Sequence, residues 1–326
     1  MTAILESRVS VPTVTVDPYS APAVERTVRD LRTAAGGRVD SPEWVAAARD
    51  AWSEFPAALR RALADYRRDS GRTGALLVRG LPVGEEELPD TPSAPDSVQR
   101  TATVAAGVLT AVACGLGDPA AFRPEKTGAL VQDVIPRRGQ EDFQGNAGSV
   151  LLTFHTENAF HPHRPDFVML MCLRADHEKV AGLRTACVRE VLPLLSDEGR
   201  AALSAHEFVT TAPPSFGTGG TDAPHPVLSG APDDPDLRVD MAATTPLTDR
   251  ARRAMEELRE LFELTAQTAR LLPGDLAIVD NRVTVHGRTA FRPRYDGRDR
   301  WLQRTFILSD LRRSRVHRAG DGYVLD

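Results

Sequence analysis

The sequence predicts a mainly β fold with flanking helices, a sandwich or barrel of short strands behind a largely helical N-terminal part. Three observations carry this prediction. After about residue 129, short apolar runs rich in Val, Leu, Phe and Ile recur between Pro- and Gly-containing turns. Before it, apolar residues recur at steps of three and four. Neither a long linker nor an internal repeat divides the 326 residues, so 1–326 is expected to be a single domain, with 1–128 as helical scaffold and 129–326 as β core.

In order, Val9, Val11, Val14 and Val16 alternate with Ser, Pro and Thr and predict a short edge strand within residues 1–20. A helix is expected from Pro22. A longer one opens at Ser41-Pro42-Glu43, with Ser as cap and Pro in the first turn, and runs through Trp44, Ala48, Trp52, Phe55, Leu59 and Leu63. Pro56 should split it, because proline lacks the amide hydrogen and clashes with the preceding turn. Residues 74–82 read as a buried strand, 82–96 as a surface loop, and 97–115 as an apolar helix packed on a sheet. Strands are then expected at 129–135, 150–154, 167–173, 183–188, 236–241, 276–279 and 302–308, interrupted by helices at about 191–205 and 248–272. Residues 208–227, with Thr-Thr-Ala-Pro-Pro and Gly-Thr-Gly-Gly-Thr, lack periodicity and are expected to form a mobile lid.

Composition narrows the function classes. A hydrophobic content of 41%, a charged content of 26% and a formal charge of -5 give no broad electrostatic attraction to nucleic acid or anionic membranes, so a small-molecule substrate is expected. Cys114, Cys172 and Cys187 are odd in number and sit in apolar stretches, which points to reduced thiols and a cytoplasmic location. No apolar run approaches the length needed to cross a bilayer, and no signal-peptide pattern opens the chain. Monomer and small homo-oligomer are both compatible with these data.

The chemistry centres on Leu151-Leu152-Thr153-Phe154-His155-Thr156-Glu157. A histidine and a carboxylate two residues apart share one face of a strand or of its exit. Alone the pair is weak, and His161 and His163 compete with His155 as ligands. A second histidine, His286, accompanies a later buried run, Leu276-Ala277-Ile278-Val279. Two histidines and one carboxylate with open positions suit non-haem Fe(II), although zinc also accepts this set. Arg300 and Arg304 share the face that carries Leu302 and Phe306, and guanidinium groups on an apolar face need anions. For Arg300 a bidentate clamp on a diacid cosubstrate is expected. Arg298, Arg312, Arg313 and Arg315 are better explained as a surface cluster.

The run His155-Thr156-Glu157-Asn158-Ala159-Phe160-His161 resembles the clavaminate synthase-like Fe(II)/2-oxoglutarate oxygenases, which hydroxylate free amino acids. So do Arg164-Pro165-Asp166-Phe167, Cys172-Leu173-Arg174-Ala175-Asp176, Val285-His286-Gly287-Arg288-Thr289 and Asp299-Arg300-Trp301-Leu302. The resemblance implies a double-stranded β-helix, or jelly roll, and Fe(II), 2-oxoglutarate and dioxygen as requirements. It implies His155, Glu157 and His286 as iron ligands, Arg300 on the distal carboxylate of 2-oxoglutarate, and Thr185 beside the cosubstrate. Within the family the motifs look nearest to members that hydroxylate free L-asparagine at C3 for nonribosomal peptide assembly. That implies Glu125, Gln132, Asn146 and Asp240 as substrate contacts, with Arg304 on the α-carboxylate. Arginine is disfavoured, since Ala242 stands two residues after Asp240 where arginine hydroxylases offer a paired carboxylate. Another free amino acid, a metal-dependent hydrolase and a non-catalytic binding protein remain the alternatives.

Overall fold

A computed structural model describes residues 10–34, 36–217 and 222–326. The N-terminal prediction that includes Val9 lies partly outside these residues; within them, Thr13–Thr15 is a strand at the edge of the larger sheet, parallel to Ala75–Arg79. That eight-stranded sheet continues through Leu276–Asp280, Phe167–Arg174, Trp301–Leu308, Asp118–Phe122 and Val324–Leu325, with Gln132–Val134 also paired to Trp301–Leu308. A four-stranded sheet runs Gln267–Arg270, Gly182–Cys187, Thr284–Arg288, Leu152–His155. The chain is mainly sheet with helices on the outside.

Side-chain alternation along the strands decides what each sheet face does. Leu170, Cys172, Leu302 and Val279 of the larger sheet form one buried cluster with Leu183 of the smaller, so these faces meet. On the other face of the larger sheet, Val78, Met169, Met171, Ile278 and Ile307 pack with Trp44, Val45 and Leu109 of helices Pro42–Trp52 and Val104–Leu116. Trp44, fully buried, donates its indole N–H to Thr110 Oγ1 at 3.2 Å. Phe154, Ala186 and Val285 of the smaller sheet pack with Leu258 and Phe262 of helix Asp249–Thr265. With Phe154 and Val285 committed to that cluster, their neighbours His155 and His286 face the interior between the sheets.

Helix boundaries follow local chemistry. Ser41 accepts a hydrogen bond from the Trp44 amide at 3.1 Å, and Pro56 separates Pro42–Trp52 from Ala57–Arg68, as expected. Three helices differ from expectation. The 97–115 helix begins only at Val104, where Thr103 accepts from the Ala106 amide at 3.1 Å. Residues before it are extended, because Gln99 N donates to Val131 O at 3.0 Å and Asp133 N to Ser97 O at 3.2 Å. The 248–272 helix stops at Thr265, and Gln267–Arg270 pairs with Gly182–Cys187, where an open sheet edge overrides local propensity. The 191–205 helix is broken into Val188–Val191 and Asp197–Leu203, with Ser196 capping the second.

The strand expected at 236–241 is Asp234–Leu237, and the chain leaves it before Asp240. Asp118–Phe122, Thr284–Arg288 and Gln267–Arg270 are strands the apolar pattern did not single out. All three cysteines are free, Cys172 and Cys187 buried and Cys114 half-buried. Among the described residues no helix is long and apolar enough to cross a membrane.

Candidate active site

The strand pairing of the smaller sheet sets His286 opposite both His155 and Thr185. The imidazole rings of His155 and His286 lie 4.3 Å apart between centroids. Gly287 makes the pairing possible: a Cβ there would stand 2.5 Å from Leu152 O. His155 Nδ1 lies 3.0 Å from Thr153 O, which assigns its proton to Nδ1 and leaves Nε2 as a lone-pair donor. Glu157 stands where the chain turns away from the sheet, just before Asn158 at φ 51°. His155, Glu157 and His286 each offer one ligand atom, and these atoms all lie within 4.8 Å of one another.

His286 Nε2 is 3.5 Å from Glu157 Oε2, a spacing compatible with two ligands about 2.1 Å from one cation. Burial and the neighbouring His155 lower the basicity of His286, with Glu157 opposing, which favours a neutral imidazole. Burial works against ionised Glu157, but Arg304 and then His286 outweigh it and hold the carboxyl below its usual range. Two imidazoles and an ionised carboxylate therefore fit a divalent cation with open coordination positions.

Arg304 gathers most of the expected substrate contacts. Its guanidinium donates to Glu157 Oε2 at 3.0 Å, to Gln132 Oε1 at 3.2 Å and to Glu125. Oriented with its oxygen toward Arg304, the Asn146 amide accepts at 3.1 and 3.2 Å. Burial pushes the carboxyl pKa of Glu125 above its ordinary value, and Arg304 only partly offsets this. Glu125, Asn146, His155, Glu157, Asp240 and Arg304 face one cavity of about 1040 Å³. Gln132 differs: it is enclosed and does not line this cavity, so its contact is with Arg304. Asp240 bridges to His155 through the backbone, and its Oδ1 accepts from the amides of Ala242 at 2.8 Å and Ala243 at 3.1 Å. One carboxylate oxygen ends a turn and the other is left for the cavity.

Arg300 is fully enclosed beside Phe291, with its guanidinium carbon 5.6 Å from the ring centroid. Among the described residues no carboxylate or carbonyl pairs with its side chain, and burial lowers its basicity. Arg288 approaches the same ring at 5.4 Å, donates to Val150 O at 3.1 Å, and is pushed down to about 9 by burial and then by Arg300. Two buried guanidinium groups with no paired carboxylate among the described residues favour an anion beside them. Sequence reasoning did not single out Arg288, although its position two residues after His286 on one strand was the signal. Lys126 was also missed; it lines the cavity and donates to Ser97 O at 3.1 Å.

His161 and His163 are not part of the cluster. His161 stacks edge-on to Phe122 at 4.8 Å, and His163 lies 4.9 Å from His317. Arg298, Arg312, Arg313 and Arg315 are exposed, as the surface reading expects. The 208–227 segment is anchored at both ends, since Phe208 and Val227 are fully buried and Phe208–Thr210 pairs with Thr244–Pro246. Residues 210–216 between them line the cavity, while 218–221 lie outside the described residues.

An interior His-Glu-His group opening on a cavity, with the buried guanidinium groups of Arg288 and Arg300 at the Phe291 ring, agrees with what the chain matches as a whole. The model of the taurine catabolism dioxygenase TauD, TfdA family matches residues 40–306, and the chain belongs to that family. It is 65% identical to an L-asparagine oxygenase of Streptomyces coelicolor over 313 residues, 96% of this chain and 94% of that protein. It is also 35% identical over 277 residues to clavaminate synthase 2 of Streptomyces clavuligerus, covering 82% and 85% of the two chains. A crystal structure of asparagine oxygenase in complex with Fe(II), 2S,3S-3-hydroxyasparagine and succinate superposes with a TM-score of 0.94 at 65% identity, over 96% of this chain and 98% of that one.

Proposed function

We propose that this chain hydroxylates free L-asparagine at C3, using Fe(II), 2-oxoglutarate and dioxygen, and supplies 3-hydroxyasparagine to nonribosomal peptide biosynthesis. The observation that carries this reading is the 65% identity to an L-asparagine oxygenase along nearly the whole chain. The chain thus acts as an amino-acid hydroxylase in the cytoplasm, as a monomer or small homo-oligomer. Residues 1–326 make one domain whose core is a double-stranded β-helix, and the two facing sheets support that assignment.

His155, Glu157 and His286 hold the iron, and Arg300, with Thr185 near by, holds the distal carboxylate of 2-oxoglutarate. Bound iron and 2-oxoglutarate supply the activation of dioxygen that places one oxygen atom on the substrate and leaves succinate and carbon dioxide. The protein's share is placement. Arg304 turns one of its N–H groups to the α-carboxylate of the amino acid, while Glu125 accepts from its ammonium group. Gln132 keeps the guanidinium plane in place by accepting from Nε. Asp240 accepts from the side-chain amide N–H, and Asn146 donates to the amide oxygen. A side-chain carboxylate would meet Asp240 as a like charge, which disfavours aspartate. Residues 208–227 act as a lid, the cavity-lining part moving between its buried ends to exclude water.

The test is a screen of free amino acids for a mass gain of one oxygen, with succinate measured in parallel. Asparagine is expected to turn over with one succinate per hydroxylation. If asparagine is inert while another amino acid turns over, the substrate assignment is wrong.

A further inference from the structure

Glu157 poses a mechanical problem that the sheet does not solve. His155 is paired with His286 on one side and bridged to Asp240 on the other, and Thr156 N still donates to Val239 O at 2.7 Å. One residue later the chain turns, with Asn158 in the left-handed region at φ 51°, so Glu157 has no strand partner for its own amide and carbonyl. Its carboxylate is nevertheless the only anionic member of the proposed iron ligands.

The missing partner is a side chain. Asn281 is completely buried, and its Oδ1 accepts from Glu157 N at 2.8 Å while its Nδ2 donates to Glu157 O at 3.1 Å. The same Nδ2 donates to Pro165 O at 2.8 Å, closing the loop that leaves the ligand. Asn281 is itself fixed, its N donating to Asp166 O at 2.9 Å. It sits in the turn between strands Leu276–Asp280 and Thr284–Arg288, and the second of these carries His286.

We infer that Asn281 is a positioning residue for the metal: its carboxamide replaces a β-ladder neighbour at Glu157 and sets that ligand at a fixed distance from the turn leading to His286. The contact spans 124 residues of sequence and joins the early half of the ligand set to the late half. A carboxamide suits the place because it offers one donor and one acceptor side by side, matching a backbone N–H and C=O. An aspartate would keep the acceptor for Glu157 N but set a second acceptor against two carbonyls. Groups that orient metal ligands from outside the coordination shell typically change metal affinity by about 10- to 100-fold when removed.

This inference rests on the proposed metal role of His155, Glu157 and His286, and two measurements separate the two. Co(II), which is stable in air, is titrated calorimetrically into the metal-free wild type and into Asn281→Asp and Asn281→Ala, with thermal midpoint and circular dichroism recorded for each. Folded variants are expected to bind Co(II) about 10- to 100-fold more weakly than wild type and to show an altered visible Co(II) spectrum, which loss of global stability alone would not produce. In the metal-free wild type, hydrogen exchange at the Glu157 amide is expected to be as slow as in the core strands, and this holds as a test even where a variant does not fold. Wild-type Co(II) affinity in a folded variant, or exchange of the Glu157 amide as fast as in an open loop, overturns the role of Asn281. Failure of the wild type itself to bind Co(II) overturns the metal reading, and the inference with it.

Discussion

Arg300→Gln isolates the anion pocket. Among the described residues no carboxylate pairs with the enclosed guanidinium, so the free protein carries a desolvated charge that a ligand carboxylate would neutralise. A bidentate carboxylate contact supplies two charge-assisted hydrogen bonds at about 1.5 kcal/mol each, or about 3 kcal/mol in all. At about 1.4 kcal/mol per factor of ten, the affinity for 2-oxoglutarate falls about 100-fold. The same substitution removes the buried charge from the free protein, so the thermal midpoint without cosubstrate does not fall. Anaerobic calorimetry of 2-oxoglutarate with the Fe(II)-loaded protein reads the first effect. A thermal shift with and without 2-oxoglutarate reads the second: the wild type gains stability by mass action and the variant loses that gain. Unchanged affinity would refute the clamp, and a lower midpoint in the free variant would show that Arg300 has a structural partner instead.

Asp240→Asn keeps the Oδ1 that ends the turn at Ala242 and Ala243 but removes the charge, so the preference between asparagine and aspartate shifts toward aspartate; unchanged selectivity in a competition assay would exclude Asp240 from recognition. Gly287→Ala brings a Cβ to 2.5 Å from Leu152 O, so the strands carrying His155 and His286 must separate and Fe(II) affinity drops, read by metal titration. Lys126 is pushed from 10.5 down to about 8 by burial and then by Arg304. Between those values the unfolded chain binds more protons than the folded one, so stability rises with pH through that window. Lys126→Met is expected to flatten that rise in a series of thermal midpoints against pH.

Much of the site is legible from residue type and short spacing. His155 and Glu157 lie two residues apart, and Arg300 and Arg304 share a strand face, so their relation survives any packing that keeps those strands. The Ser41 cap and the Pro56 break were equally local, because each depends on contacts within one turn. What failed locally was decided by neighbours. Gln267–Arg270 continues a helical pattern yet completes a sheet edge, and the residues before Val104 leave the expected helix to pair, 97–99 with 131–133 and 100–102 with 37–39.

By itself the sequence determined the donor chemistry of this protein: two imidazoles, one carboxylate and a guanidinium on apolar strands, with the family pattern that relates them. Only the tertiary structure decided which groups meet. It placed Gln132 against Arg304 and away from the cavity, left Arg300 with no paired carboxylate among the described residues, drew Arg288 to the Phe291 ring that Arg300 also faces, and put the Asn281 carboxamide on the backbone of Glu157. The reason is physical. Alternation and capping act over a few residues, whereas desolvation and side-chain hydrogen bonding depend on which distant strands are stacked around a group.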